Sequence, residues 1–327
     1  MKRLKWLALA LVVAFLAFAF GWVPYWMGGL ATTRRFQYPD KENAGLTPAS
    51  FQLPFEDVIV PGPDGVELHG WWVPAPEPRG SVVLLHGLNR SRLEMVRKVP
   101  FLHQHGWNAL LIDLRHHGQS GGDRSTFGWL EKGDALAASV WARSRSAGPV
   151  VLWGVSLGAA TATLAAAEDP SVGGVVADSS FLDLRHTVEH HVRLFRRFRW
   201  WTRIVPSWPL GPEVVFWIGR RGGFDPDLVD VRAAARRLAP RPSLWICNSG
   251  DRRMPPEVAH ALHAVAGARA ALLTVEGQSH GGAYRDGTAR YQAAVIELLR
   301  QVESDAGRGP ARAGGPKGDA TWAATTP

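Results

Sequence analysis

Ser156 stands in Gly154-Val155-Ser156-Leu157-Gly158, between the apolar run Val150-Val151-Leu152-Trp153 and an alanine-rich, helix-prone segment opening at Ala159. G-x-S-x-G between a strand and a helix predicts a sharp turn with the serine in a strained backbone conformation, its Oγ projecting from the carboxyl edge of a sheet. The helix start behind it favours negative charge. Without those flanking elements the same five residues would be an ordinary tight turn. A serine hydroxyl needs a base within hydrogen-bond reach and a third group that orients the base. Of 12 histidines, His280 in Gly277-Gln278-Ser279-His280-Gly281-Gly282 is best placed, after the last predicted strand and before the closing helix. The acid is sought in Asn248-Ser249-Gly250-Asp251, just beyond the predicted strand Ser243–Cys247. Chain order is then Ser156, Asp251, His280, the order expected of a nucleophile on such a turn. Asp251 has a structural alternative as a cap for the helix opening near Pro255 and Pro256, and Asp178, one strand earlier, is the alternative acid. A developing oxyanion needs preorganised donors. The backbone N–H of Leu157 is one, and that of Leu88, in His86-Gly87-Leu88-Asn89, is the other. His86 itself is expected to shape that turn through hydrogen bonds. His186 and His190, at i and i+4, lack an identifiable third ligand, so no metal is expected.

These residues need a scaffold, and the pattern supplies one. Asp57–Val60 and Val66–Val73 flank the turn Pro61-Gly62-Pro63-Asp64-Gly65 and read as a hairpin. The apolar run Ser81–Leu85 has the look of a strand covered on both faces. Helices near Ser91–His105 and Leu130–Ser144 then alternate with strands near Asn108–Asp113 and Val150–Trp153, which implies a parallel sheet wrapped on both faces. The alternation breaks over residues 181–224, where Arg185, Arg193, Arg196, Arg197, Arg199 and Arg203 interleave with bulky apolar residues. An insertion there projects from the edge that carries Ser156, as a cap. It reads either as a helical excursion packed on the domain or as an amphipathic lid lying on a membrane surface.

Lys2, Arg3 and Lys5 precede an unbroken apolar run, Trp6–Val23, of roughly 18 residues, near the length that crosses a bilayer. Residues 1–30 are therefore expected to be a transmembrane anchor. A cleavable signal peptide is the rival, with Ala17-Phe18-Ala19 as its site, although the apolar run continues past it. The leading basic residues place the bulk of the chain outside the cytoplasm. Residues 31–50 read as a linker, 51–301 as the globular domain and 302–327 as a disordered tail. The formal net charge of +8 comes with no nucleic-acid-binding module, and a basic patch near anionic lipid accounts for it. One cysteine, Cys247, excludes an internal disulfide.

From about Phe51 to Gln301 the chain resembles the α/β-hydrolase superfamily. The marks are His86-Gly87, the run from Asp113 to Gly122, Gly154-Val155-Ser156-Leu157-Gly158, Gly250-Asp251 and Ser279-His280-Gly281. The second is similar to the D-x-R-G-H-G-x-S-x-G stretch of monoglyceride-lipase-like and serine-aminopeptidase-like branches, with His116 in place of its first glycine. The resemblance implies an α/β-hydrolase fold: a mostly parallel eight-stranded sheet, helices on both faces and a helical cap. It also implies acyl transfer to water through an acyl-enzyme on Ser156, with no cofactor. An aromatic, apolar cap favours carboxylic esters, lipid esters among them. Peptidase, thioesterase and acyltransferase chemistry would use the same residues, and a non-catalytic membrane-anchored binding protein is the alternative outside enzymes.

Overall fold

Apolar runs bounded by glycine and proline become the strands, and the longer periodic segments become the helices that cover them. The computed structural model describes residues 2–35, 37–38, 40–198 and 207–307. In chain order the elements are α1 (Lys2–Ala17), α2 (Val23–Thr32), β1 (Glu56–Pro61), β2 (Glu67–Val73), β3 (Gly80–Leu85), α3 (Val99–Gln104), β4 (Trp107–Ile112), α4 (Glu131–Arg145), β5 (Val150–Val155), α5 (Leu157–Glu168) and β6 (Val172–Asp178). There follow α6 (Leu184–Phe198), α7 (Ser207–Gly222), α8 (Val231–Arg236), β7 (Ser243–Asn248), α9 (Pro256–His263), β8 (Ala270–Val275), α10 (Ala283–Asp286) and α11 (Thr288–Gly307). The sheet has eight strands in the order β1-β2-β4-β3-β5-β6-β7-β8. Only β2 runs antiparallel to its neighbours, and all other pairs are parallel. Strands β3, β4, β5 and β7 are buried throughout, as continuous apolar runs between two helical layers require.

Three local expectations change. The helix near Ser91–His105 is a 3-10 stretch, Arg92–Lys98, followed by the short α3. Pro100 lies in the first turn of α3, and with no N–H to give to an upstream carbonyl it forbids one continuous α-helix. The closing helix runs on to Gly307 with Val302 buried, so residues 302–307 are helix rather than tail; the rest of the expected tail, 308–327, lies outside the described residues. Residues 31–50 are not a free linker. Arg35 Nη2 donates to the carbonyls of Gly118 (2.7 Å) and Ser120 (2.8 Å), Arg97 Nε donates to Asn43 Oδ1 (2.7 Å), and Arg285 pairs with Glu42.

The N-terminal segment is helical from Lys2 to Thr32, interrupted by a π-helical turn at Phe18–Trp22. No residue of α1 is buried, whereas Phe20, Val23, Met27 and Ala31 pack against the main core. The segment expected to form the cap holds α6 and α7, in which Val188, Val192, Val214 and Ile218 are buried. Of the arginines noted there, Arg185 pairs with Asp227 and Arg193 with Glu189. The side chains of Arg196 and Arg197, and the whole of Arg199 and Arg203, lie outside the described residues.

Candidate active site

Gly154 lies next to the end of β5 and Gly158 in the first turn of α5, and the two backbones cross in contact. A Cβ on Gly154 would sit 2.0 Å from the carbonyl carbon of Gly158, and one on Gly158 would sit 2.2 Å from the Leu85 oxygen. Neither position admits a side chain. Ser156 between them has φ 54° and ψ −111°, a conformation that costs on the order of 1–3 kcal/mol and is held by its surroundings. Its N–H is tied to the Asp178 carbonyl of β6 at 2.8 Å.

At the same sheet edge His280 Nε2 lies 2.8 Å from Ser156 Oγ, and His280 Nδ1 lies 2.7 Å from Asp251 Oδ2. Asp251 is almost wholly buried. Its other oxygen, Oδ1, accepts the N–H groups of Arg253 (2.8 Å) and Met254 (3.1 Å). Burial works to raise this carboxyl, but the His280 hydrogen bond, the His280 charge and the two backbone donors outweigh it and hold it below the usual carboxylate range. An ionised carboxylate only accepts, so Nδ1 carries the imidazole proton and Nε2 faces the serine as an acceptor. The structure therefore brings Ser156, Asp251 and His280 together. Asp178 is elsewhere: fully buried, its carboxylate accepts from Ser179 Oγ (2.9 Å) and Tyr291 Oη (3.0 Å), with no hydrogen bond to His280 among the described contacts.

Leu88 and Leu157 border the same cavity as Ser156. Leu157 opens α5, so its N–H has no intrahelical acceptor. The turn bearing Leu88 is fixed by a residue that sequence reading passed over. Glu94 Oε2 accepts the Gly87 N–H at 2.6 Å; a carboxylate seven positions downstream in a polar stretch carries no motif. His86 is structural. Its Nε2 accepts the Leu114 N–H at 3.0 Å, and its Nδ1 lies 2.8 Å from the Gly87 carbonyl. The Asp113–Gly122 run is structural too: Asp113 accepts from Arg92 and from the Gln119 N–H, and Arg115 forks onto Asp134. His116 has φ 63°, the left-handed region where a glycine costs least. His190 Nε2 meets the Arg252 carbonyl at 2.8 Å.

Burial of its ring is the main reason that His86 titrates at about 4 rather than 6.5, and burial next to His86 does the same to His117. Between pH 6.5 and 4 the unfolded chain binds protons at these rings that the folded protein refuses, so stability falls as pH falls. Asp134, raised by burial to about 6, offsets part of this below pH 6. For His86 alone the loss is on the order of 3 kcal/mol. Thermal melts from pH 7 to pH 4 should show a steep fall in Tm for the wild type and a shallower one for His86→Gln. Parallel curves would mean that His86 is not the source.

A family signature described as serine aminopeptidase, S33, matches residues 76–236. Over 245 residues the chain is 27% identical to the uncharacterized protein YqkD of Bacillus subtilis, spanning 74% of this chain and 78% of that one. In structure it is similar to the Pyrococcus furiosus esterase Pf2001, with TM-score 0.66 and 23% identity over 82% of this chain and 98% of the other. It is also similar to Est1E of Butyrivibrio proteoclasticus, solved with ferulic acid, with TM-score 0.56 and 19% identity over 75% of this chain and 99% of that one. The fold is that of the α/β hydrolases, and the family match is to hydrolases.

Proposed function

We propose that this chain, a member of the α/β-hydrolase superfamily by its fold and its S33 match, is a serine hydrolase that cleaves carboxylic esters of acyl groups. One observation carries the reading. The Asp251–His280–Ser156 relay ends at the edge of a cavity of about 1170 Å³, somewhat larger than the usual small-molecule pocket. Ser156 Oγ attacks the ester carbonyl as His280 Nε2 takes its proton, and the Leu88 and Leu157 N–H groups receive the oxyanion. His280 then protonates the leaving alcohol, and an acyl-serine remains. Water enters, gives a proton to His280 as its oxygen bonds the acyl carbon, and His280 returns that proton to Ser156 Oγ as the acyl–Oγ bond breaks and the acid leaves. Asp251 keeps the imidazole in its tautomer and stabilises the imidazolium.

An ester is favoured over an aminopeptidase substrate by the cavity wall. A peptide's free ammonium needs an uncommitted carboxylate. Of the lining carboxylates, Asp251 is engaged by His280, and Glu257 shares the cavity wall with the cations Arg252 and Arg253. Leu88, Phe127, Phe181, Val188, Val192 and Leu194 face the remaining volume. The N-terminal helix, apolar and long enough to cross a bilayer, anchors the enzyme as a single span with its catalytic domain outside the cytoplasm.

The test uses the full chain. A fluorophosphonate probe should label Ser156 in membranes washed with carbonate, and p-nitrophenyl esters should be cleaved at least a hundredfold faster than aminoacyl p-nitroanilides. Preference for the anilides would make the enzyme a peptidase. Label recovered in the carbonate supernatant would remove the anchor.

A further inference from the structure

The N-terminal helix does not stop at the membrane. Phe20, Val23, Met27 and Ala31 recur at helical spacing and pack on the core of the catalytic domain. Beside them Gly28 lies so close to α7 that a Cβ there would be 2.8 Å from the backbone of Trp217. Tyr25 meets the Trp217 ring edge-on at 5.0 Å. The Arg221 guanidinium lies over Tyr25 at 4.5 Å, and its Nη2 donates to Thr33 Oγ1 at 3.1 Å. The far end is tied to the body, where the Ser125 N–H donates to the Thr32 carbonyl at 2.8 Å. Met27 and Ala31, half-buried on the inner face, border the cavity that holds Ser156, opposite Val188, Val192 and Ile218.

We infer that Met27 and Ala31 of the N-terminal helix form one wall of an acyl-chain pocket, so that this helix sets which acyl lengths reach Ser156 and the substrates are esters of long-chain acids. This rests on the esterase reading above and deepens it. A short acyl group fills only the volume next to Ser156. A long one needs the apolar space between α2 and the cap, and the narrowest side chain on the α2 side is Ala31. Enlarging Ala31 therefore shortens the pocket, and trimming Met27 extends it.

The experiment measures kcat/KM for p-nitrophenyl laurate and butyrate with the full-length protein in detergent micelles, for wild type, Ala31→Phe, Met27→Ala and the control Val13→Phe on the outer half of the helix. In Ala31→Phe the laurate-to-butyrate ratio should fall at least tenfold. In Met27→Ala it should rise at least threefold, and in Val13→Phe it should stay where it was. A second series follows binding of a pyrene-labelled long-chain fatty acid to the same variants made in the inactive Ser156→Ala protein, and should show at least tenfold weaker binding for Ala31→Phe. An enzyme that cleaves both esters with unchanged ratios in Ala31→Phe and Met27→Ala overturns the pocket and leaves the esterase standing. Should no ester be cleaved at all, the esterase reading fails, and the binding series alone decides. Weakening by Ala31→Phe but not by Val13→Phe upholds the pocket, and equal binding by all variants overturns it.

Discussion

Ser156→Ala and His280→Ala are each expected to lower ester turnover by roughly a millionfold, and the double variant hardly more than either alone, because the members of a relay act as a unit. The expectation rests on the 2.8 Å contact between Ser156 Oγ and His280 Nε2. With the serine gone there is no nucleophile to activate, and with the histidine gone the hydroxyl keeps its proton. Background turnover over water then comes from the oxyanion donors and the binding surface. Steady-state assays on purified, folded variants check it. Multiplicative losses in the double variant would mean that the two residues act in separate steps, and the relay would be wrong.

The next largest effect separates two buried aspartates. Asp251→Asn should cut turnover about ten-thousandfold with the fold intact, because an amide donor toward His280 favours the wrong tautomer. Asp178→Asn should act on stability instead. That carboxylate serves Ser179 and Tyr291, and Tyr291 in turn accepts from Trp153 Nε1 at 3.1 Å. Loss of on the order of 1–3 kcal/mol is expected from one weakened buried network. Urea unfolding and kcat, measured side by side, distinguish the two. A variant Asp178→Asn that melts like the wild type but turns over ten-thousandfold more slowly would reverse the assignment.

How much of this was legible beforehand depends on what each residue packs against. The parallel strands were plain, because a strand covered on both faces must be apolar throughout, and Val82–Leu85 and Val150–Trp153 are. The order Ser156, Asp251, His280 followed from strand ends, and the structure places the three side chains in contact. Glu94 escaped notice because its partner is a backbone N–H, which leaves no trace in residue type. The docking of α2 was hidden for a different reason. A helix shows its buried stripe only by contrast with a polar face, and in a segment apolar all round Met27 and Ala31 look like any other lipid-facing residues. Arg185 and Arg193 stand out as charge in the sequence, yet each has an acidic partner, Asp227 and Glu189, that takes up part of the attraction a lipid headgroup would receive.

The N-terminal segment stays helical through its π-helical turn, so no non-helical stretch separates α1 from the residues that pack on the domain. From Trp6 to Val23 an α-helix rises about 27 Å, close to the roughly 30 Å thickness of a bilayer's hydrocarbon layer. Packing against the main core begins before that stretch has ended, at Phe20 and Val23. On the anchoring proposed above, a bilayer-spanning α1 would hold the domain against the lipid at one height and one tilt, like a plane iron set in its block. Working depth would then be a property of the fold, and the proposed esterase would reach only substrates whose ester bond lies at that depth.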